Sequence, residues 1–167
     1  MKLRAIIEED CNHYKDFSMV LFAPYCNWKC CKESNIPVEE CANQSFQKEP
    51  VMDFSNGFIL QKYLSNPLQN ALCIAGAESL DSDDLNDFIK FFRQSVNDII
   101  IVYTGYTITE PKVKNFIDWI FKNNIQNVIL KIGRYIPNDI PHIDPILEIP
   151  LASNNQFAIK INFLEEN

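Results

Sequence analysis

Cysteines are the residues of this 167-residue chain best suited to chemistry. Four of the six fall within one short segment, at Cys26, Cys30, Cys31 and Cys41. Closely spaced thiolates are the usual ligands of iron–sulfur clusters and of structural zinc. The Cys-x-x-x-Cys spacing of Cys26 and Cys30 lets two thiolates converge on one cluster while the backbone between them wraps around it. The segment therefore predicts a metal centre.

A metal site is favoured over disulfide bonds because no secretory signal is recognisable. The first ten residues carry Glu8, Glu9 and Asp10 and contain no apolar segment. We expect a cytoplasmic location, where thiols stay reduced. The remaining two cysteines, Cys11 and Cys73, stand alone in the sequence and are interpreted as small buried residues.

The number of ligands distinguishes the possible metals. A structural zinc site needs about four N or S ligands, which the four clustered cysteines can supply. Three thiolates would instead leave one iron of a four-iron cluster open to an outside ligand, whereas an electron-transfer ferredoxin uses four cysteines on each such cluster. Zinc and an iron–sulfur cluster both stay open at this point.

Composition narrows the class of protein. The net charge of -7 argues against a nucleic-acid-binding protein, because neutralising phosphates needs clustered Lys and Arg. Hydrophobic residues make up 47% and charged residues 22%, which is typical of a globular core. Apolar stretches reach only five or six residues, too short to span a bilayer. We expect one domain over residues 1–167, with neither nucleic acid nor membrane as a partner.

Strands alternate with amphipathic helices along the chain. Apolar runs predict strands at 2–7, 18–24, 70–75, 98–103 and 127–132. Apolar residues at helical spacing predict three helices with these inner faces: Ile59, Leu60, Tyr63 and Leu64; Leu85, Phe88, Ile89 and Phe92; Val113, Phe116, Ile117 and Ile120.

This alternation predicts an α/β fold with a mainly parallel sheet, either open or closed into an incomplete barrel. Ligands of such folds bind in the loops at the carboxyl ends of the strands. Those loops are residues 25–50, 75–80, 104–107 and 133–138. The cysteine segment lies in the first of them.

The cysteine segment resembles the radical SAM proteins, in particular the small activating proteins of anaerobic ribonucleotide reductases. Their signature is Cys-x3-Cys-x2-Cys, with an aromatic residue between the first two cysteines. Cys26, Trp28 and Cys30 match its first part, whereas Glu33 occupies the third cysteine position. Cys41 looks like the displaced third ligand in a lengthened loop. The competing candidate is Cys31, whose thiolate is next to that of Cys30 in the chain.

Four later segments are similar to segments of the same family, in the same order. Ala75-Gly76-Ala77-Glu78-Ser79 takes the place of a Gly-Gly-x-Glu-Pro segment, with the first Gly and the Pro replaced. The others are Tyr103–Thr107, which resembles Tyr-Thr-Gly-Tyr, Gly133–Tyr135, which resembles Gly-Arg-Phe, and Ala152–Gln156, which resembles Ser-Ser-Asn-Gln.

The resemblance implies a partial β/α barrel in which Cys26, Cys30 and Cys41 hold a 4Fe–4S cluster and carry the catalysis. It also implies S-adenosylmethionine as cosubstrate, cleaved reductively to methionine and a 5′-deoxyadenosyl radical. The implied partners are a large glycyl-radical protein such as an anaerobic reductase and a one-electron donor such as flavodoxin. The residues assigned to cofactor binding are Trp28, Gly76, Ala77, Glu78, Thr104 and Lys131.

Alternatives to this activity stay open. The altered Ala75–Ser79 segment also fits a non-catalytic iron–sulfur or zinc-binding module derived from the same fold. Glu78 could cap the helix that follows it, and Lys131 could be the solvent-facing end of a strand. His13 and His142 match no family position and are interpreted as surface or loop residues.

Overall fold

The computed structural model describes residues 1–41 and 43–161. Its strands, in chain order, are β1 (Lys2–Leu3), β2 (Ala5–Asp10), β3 (Ser18–Ala23), β4 (Met52–Asp53), β5 (Ala71–Gly76), β6 (Ile99–Tyr103), β7 (Val128–Ile132), β8 (His142–Ile143), β9 (Pro150–Leu151) and β10 (Phe157–Ile161). Its α-helices are α1 (Lys29–Ser34), α2 (Asn56–Ser65), α3 (Leu85–Arg93) and α4 (Pro111–Lys122).

Six strands form the main sheet, in the order β10-β7-β6-β5-β3-β2. The four central strands β3, β5, β6 and β7 are parallel, and their spatial order follows their order in the chain. Both edge strands, β2 and β10, run antiparallel to their neighbours. The predicted α/β class is confirmed, and the sheet is mixed.

The antiparallel direction of edge strand β2 has a simple cause. Only residues 11–17 join β2 to β3, too few for the crossover that a parallel pair requires. Strand β10 follows two short strands rather than a helix, so it too lacks a helical crossover. Alternation of strands and helices therefore predicted the centre of the sheet and missed its edges.

Helices α2, α3 and α4 pack against the same face of the sheet. Their buried side chains share one apolar cluster with the strand residues of that face: Met19, Leu21, Leu72, Ile74, Ile100, Val102, Val128, Leu130 and Ile132. The predicted stripe of α3 is buried at all four positions. In α2 the stripe is narrower than predicted, since Leu64 is exposed whereas Ile59 and Tyr63 are buried.

The opposite face is covered by irregular chain. Leu147, Ile149 and Leu151 pack there on Val20, Phe22, Cys73, Ala75, Ile101 and Ile129. The buried position predicted for Cys73 is confirmed, but that for Cys11 is wrong, because Cys11 lies exposed in the turn between β2 and β3. Within the described residues, no helix is long and apolar enough to cross a membrane.

Candidate functional site

A cavity of about 560 Å³ opens at the carboxyl ends of β5, β6 and β7, and its size is typical of a small-molecule site. The four clustered cysteines line it together with five other residues from the sequence assignment: Trp28, Gly76, Ala77, Thr104 and Lys131. Of the nine assigned site residues, only Glu78 is absent from the wall. Four segments far apart in the chain thus meet around one space.

A backbone amide approaches one of the thiols. The amide of Trp28 donates a hydrogen bond to Cys26 Sγ at 3.3 Å. Trp28 has a φ of 57°, a left-handed conformation that is uncommon for a bulky residue. This turn begins α1 and places the indole of Trp28 in the cavity wall.

Gly105 permits close packing of the loop after β6 against Cys30. A Cβ atom at Gly105 would lie 3.0 Å from Cys30 Sγ and 3.4 Å from Glu78 Oε2. The first distance is tighter than nine in ten real Cβ contacts, so a side chain here would require the thiol or the loop to shift by a few tenths of an ångström. Gly105 therefore has a packing role next to the cysteine.

Burial is the main influence on the thiols. It raises the pKa of Cys26 to about 11 and also raises the pKa of Cys30 and of Cys31. These three thiols are therefore protonated at neutral pH in the absence of a metal. Metal binding would release these protons, because only the thiolate is a ligand.

Cys41 enters the cavity wall on a loop that is tied to β5. The amide Nδ2 of Asn43 donates a 2.6 Å hydrogen bond to the carbonyl of Gly76, the last residue of β5. Ala42, between Cys41 and Asn43, lies outside the described residues. Cys31 and Cys41, the two candidates for the third ligand, both line this cavity.

Glu33, which takes the family's third cysteine position, belongs to a cluster of charged side chains. Arg134 lies 2.6 Å from Glu33 and binds Glu110 through two parallel hydrogen bonds of 2.7 and 2.9 Å. Lys29 also pairs with Glu110. The cluster holds α1 against the start of α4 and the loop after β7. Its hydrogen bonds, that from Arg134 foremost, keep the pKa of Glu110 well below its usual range.

The Glu78 carboxylate lies behind the wall rather than in it. It accepts hydrogen bonds from the Thr104 hydroxyl at 2.5 Å, the Gly105 amide at 2.9 Å and the Leu80 amide at 3.2 Å. The last bond caps the short 3-10 helix Ser79–Asp81, whereas the capping interpretation assigns Glu78 to the start of α3, whose N-cap is Asp84. Burial nevertheless raises the pKa of Glu78 to about 7.

Lys131 is buried, and the interpretation of it as a solvent-facing strand end is wrong. Its ammonium lies 5.8 Å from the centre of the Tyr103 ring and donates one long hydrogen bond, of 3.4 Å, to the Gly133 carbonyl. Among the described residues, no carboxylate oxygen lies within 4.0 Å of it. Burial lowers the pKa of Lys131 to about 8.

The donor set fits a thiolate-bound metal in its chemistry, although the side chains do not converge. Four thiols share the cavity, and that of Cys26 already accepts a backbone N–H group, as cluster sulfurs commonly do. Across residues 1–41 and 43–161, no three His, Cys, Asp or Glu side chains gather closely enough to hold a metal ion. Binding would need the cysteine loop to close further.

His13 is a wall residue that sequence reasoning missed. It lies in the turn between β2 and β3, and its ring contacts the rings of Phe22 and Tyr103. A signal was present in the Asp10-x-x-His13 spacing, which brings a carboxylate onto the imidazole within one turn. Asn43 and Tyr135 also line the cavity without having been assigned a role.

Searches of family models, of curated proteins and of solved structures find no match to this chain. The arrangement of the cavity wall therefore carries the functional argument.

Proposed function

We propose that the chain is a radical SAM enzyme with a 4Fe–4S cluster on Cys26, Cys30 and Cys41, acting as the activating protein of a glycyl-radical partner. The observation that carries the proposal is the meeting of these thiols with Gly76, Ala77 and the loop after β6 in one cavity. When bound, the cluster would supply the electron that cleaves S-adenosylmethionine to methionine and a 5′-deoxyadenosyl radical. The protein's own residues would bind and orient that ligand and exclude water from it.

A partial β/α barrel is the finer fold proposal. Four parallel strands in chain order, with α2, α3 and α4 on one face, are the arrangement of a singly wound sheet. A doubly wound sheet would instead reverse its strand order and carry helices on both faces. The cavity then opens at the carboxyl ends of the strands, where barrel enzymes bind ligands.

Each wall residue has a defined part in this proposal. Gly76, with φ at 92°, ends β5 in a conformation that brings its backbone to the cavity. Trp28 offers an aromatic surface for the adenine, and Lys131 offers the buried cation for a polar group of the ligand. Thr104 acts indirectly, because its hydroxyl is held by Glu78.

Exposed apolar side chains at the rim of the cavity favour a protein partner. Tyr25, Ile108 and Ile136 follow β3, β6 and β7 and are each more than a third exposed. Exposed apolar side chains near a site are typical of an interaction surface. We propose that the glycyl-radical protein docks on this rim and that a flavodoxin-like donor supplies the electron, in the cytoplasm.

The test is anaerobic reconstitution with iron and sulfide, followed by S-adenosylmethionine and dithionite. A brown protein with about four irons that releases 5′-deoxyadenosine supports the proposal. Ile108→Asp and Ile136→Asp should keep this release and lose activation of the partner. A loaded cluster that releases none leaves only a cluster-binding module.

A structural zinc site is the second candidate, and the number of thiols favours it. Cys31 and Cys41 line the same cavity as Cys26 and Cys30, so four thiols are available to one tetrahedral ion once the cysteine loop closes further. A colourless protein with one zinc per chain, lost in Cys31→Ala, would establish this alternative.

A further inference from the structure

The Asp10 and His13 side chains form a carboxylate–imidazole pair at the cavity wall that the proposed function leaves unused. His13 Nδ1 lies 3.0 Å from Asp10 Oδ2. The same carboxylate oxygen accepts the backbone amides of Asn12 at 2.8 Å and His13 at 2.9 Å. Asp10 is only 7% exposed, so these donors fix it firmly.

The imidazole is fixed as well as the carboxylate. Its ring meets the rings of Phe22 and Tyr103 edge-on, with centroid distances of 6.0 and 5.6 Å. The Tyr103 hydroxyl donates a hydrogen bond to the His13 carbonyl, which ties the turn to the end of β6. A surface histidine in a mobile turn would have no such set of contacts.

The hydrogen bonds of Asp10 lower its pKa despite its burial, so the carboxylate is charged at neutral pH. A carboxylate cannot donate, and Nδ1 must therefore carry the proton that the two groups share. In the neutral ring this leaves Nε2 with a free lone pair. Within the described part of the chain, no hydrogen bond to His13 Nε2 is formed.

We propose that His13 is the proton-accepting group of this cavity: its Nε2 accepts a hydrogen bond from an O–H or N–H donor of the bound ligand. The ligand class is a molecule with a hydroxyl or ammonium group. The choice of probes for the test rests on the proposed function, but the tautomer of the His13 ring does not.

The first test is nitrogen-15 NMR of the full chain, which contains only two histidines, His13 and His142. We expect neutral His13 to carry its proton on Nδ1 and to show Nε2 as the unprotonated nitrogen. His142 is outside the cavity wall and serves as the internal reference. A His13 that carries its proton on Nε2 overturns the proposal.

The second test adds adenosine, whose donors are its ribose hydroxyls and its exocyclic amine, or L-methionine, whose donor is an ammonium. We expect one of them to shift the His13 Nε2 signal and leave His142 in place, and the probe that acts identifies the part of the ligand that carries the donor. The indole signal of Trp28 reports binding independently, with Trp119 outside the cavity as its reference.

A substitution of His13 tests directly whether its ring nitrogens contribute to binding. His13→Phe keeps an aromatic ring against Phe22 and Tyr103 but removes both nitrogens, and we expect it to weaken the active probe at least tenfold. His142→Phe should leave the affinity unchanged. A Trp28 shift without a His13 shift overturns the role of His13 and leaves the proposed function standing. If neither signal moves with either probe, the ligand class and the proposed function both fail.

Discussion

Asn43 donates a 2.6 Å hydrogen bond to the carbonyl of Gly76 and so fastens the loop of Cys41 to the end of β5. The bond joins the stretched part of the cysteine segment to the strand whose end forms the cavity. It keeps the loop of Cys41 beside the cavity although ten residues separate Cys41 from Cys30. This contact is the main structural support for Cys41 as third ligand.

Removing the Asn43 amide should loosen Cys41. We expect Asn43→Ala to lower the free energy of unfolding by about 1 kcal/mol, the value of one typical hydrogen bond, and to reduce iron retained after reconstitution. Gln44→Ala, in the same segment, is the matched control. Urea unfolding and iron analysis measure both effects, and equal iron in the two variants would contradict the role of Asn43.

Gly105 gives a second prediction, with an internal control at Gly57. A methyl group at Gly105 would meet Cys30 Sγ at 3.0 Å, whereas one at Gly57 meets nothing within 4 Å. We expect Gly105→Ala to impair cluster assembly. Gly57→Ala lies in α2 and should instead raise stability by about 0.5–1 kcal/mol through helix propensity. Full iron loading of Gly105→Ala would show that Cys30 is not a ligand in its present position.

Glu78 predicts a pH dependence of stability. Its folded pKa of about 7 lies above the ordinary value of 4.5, so the native state binds more protons than the unfolded state between these values. Stability from this group is therefore present below about pH 4.5 and is lost as pH rises through about 7. Glu78→Gln should flatten that loss.

The measurement for Glu78 is thermal unfolding at pH 5 and pH 7.5. Glu39→Gln removes an exposed carboxylate and should leave the wild-type difference in Tm between the two pH values intact. A Glu78→Gln variant with the wild-type difference would mean that Glu78 is already ionised throughout the range.

Glu110 is expected to matter for the position of α1. Glu110→Gln removes a charge that Arg134 and Lys29 share, and we expect it to lower the free energy of unfolding by about 2 kcal/mol. Because the folded pKa of Glu110 is depressed, its contribution is present above about pH 4.5 and is lost as pH falls further. Asp118→Asn, exposed on the same helix, should have little effect, and equal effects of the two variants on urea unfolding would contradict the prediction.

Lys131 is expected to strengthen ligand binding and to lower the stability of the fold. An amine buried without a carboxylate partner is costly, so Lys131→Met should raise Tm at pH 7 while it weakens S-adenosylmethionine binding about tenfold or more. Lys90→Met, at an exposed position of α3, should change neither. Calorimetric titration and thermal unfolding test the two effects, and undiminished affinity would remove Lys131 from the site.

The sequence predicted those parts of the fold and site that depend on local pattern. Periodicity identified the buried stripe of α3 and the central parallel strands, and strand-end loops identified where the cavity lies. The sequence allowed Glu78 a capping role but did not predict its hydrogen bond with Thr104, because hydrogen bonds between separate loops leave no periodic signal. The position of His13 was missed for the same reason, since the turn after β2 folds over the sheet face toward Tyr103.

Iron content and 5′-deoxyadenosine release, measured together on the wild type and on single Cys→Ala variants after anaerobic reconstitution, test the central proposal most directly. We predict about four irons and release of 5′-deoxyadenosine in the wild type, loss of both in Cys26→Ala, Cys30→Ala and Cys41→Ala, and a mild effect in Cys31→Ala. A colourless protein with one zinc, or full activity in Cys41→Ala, would contradict it.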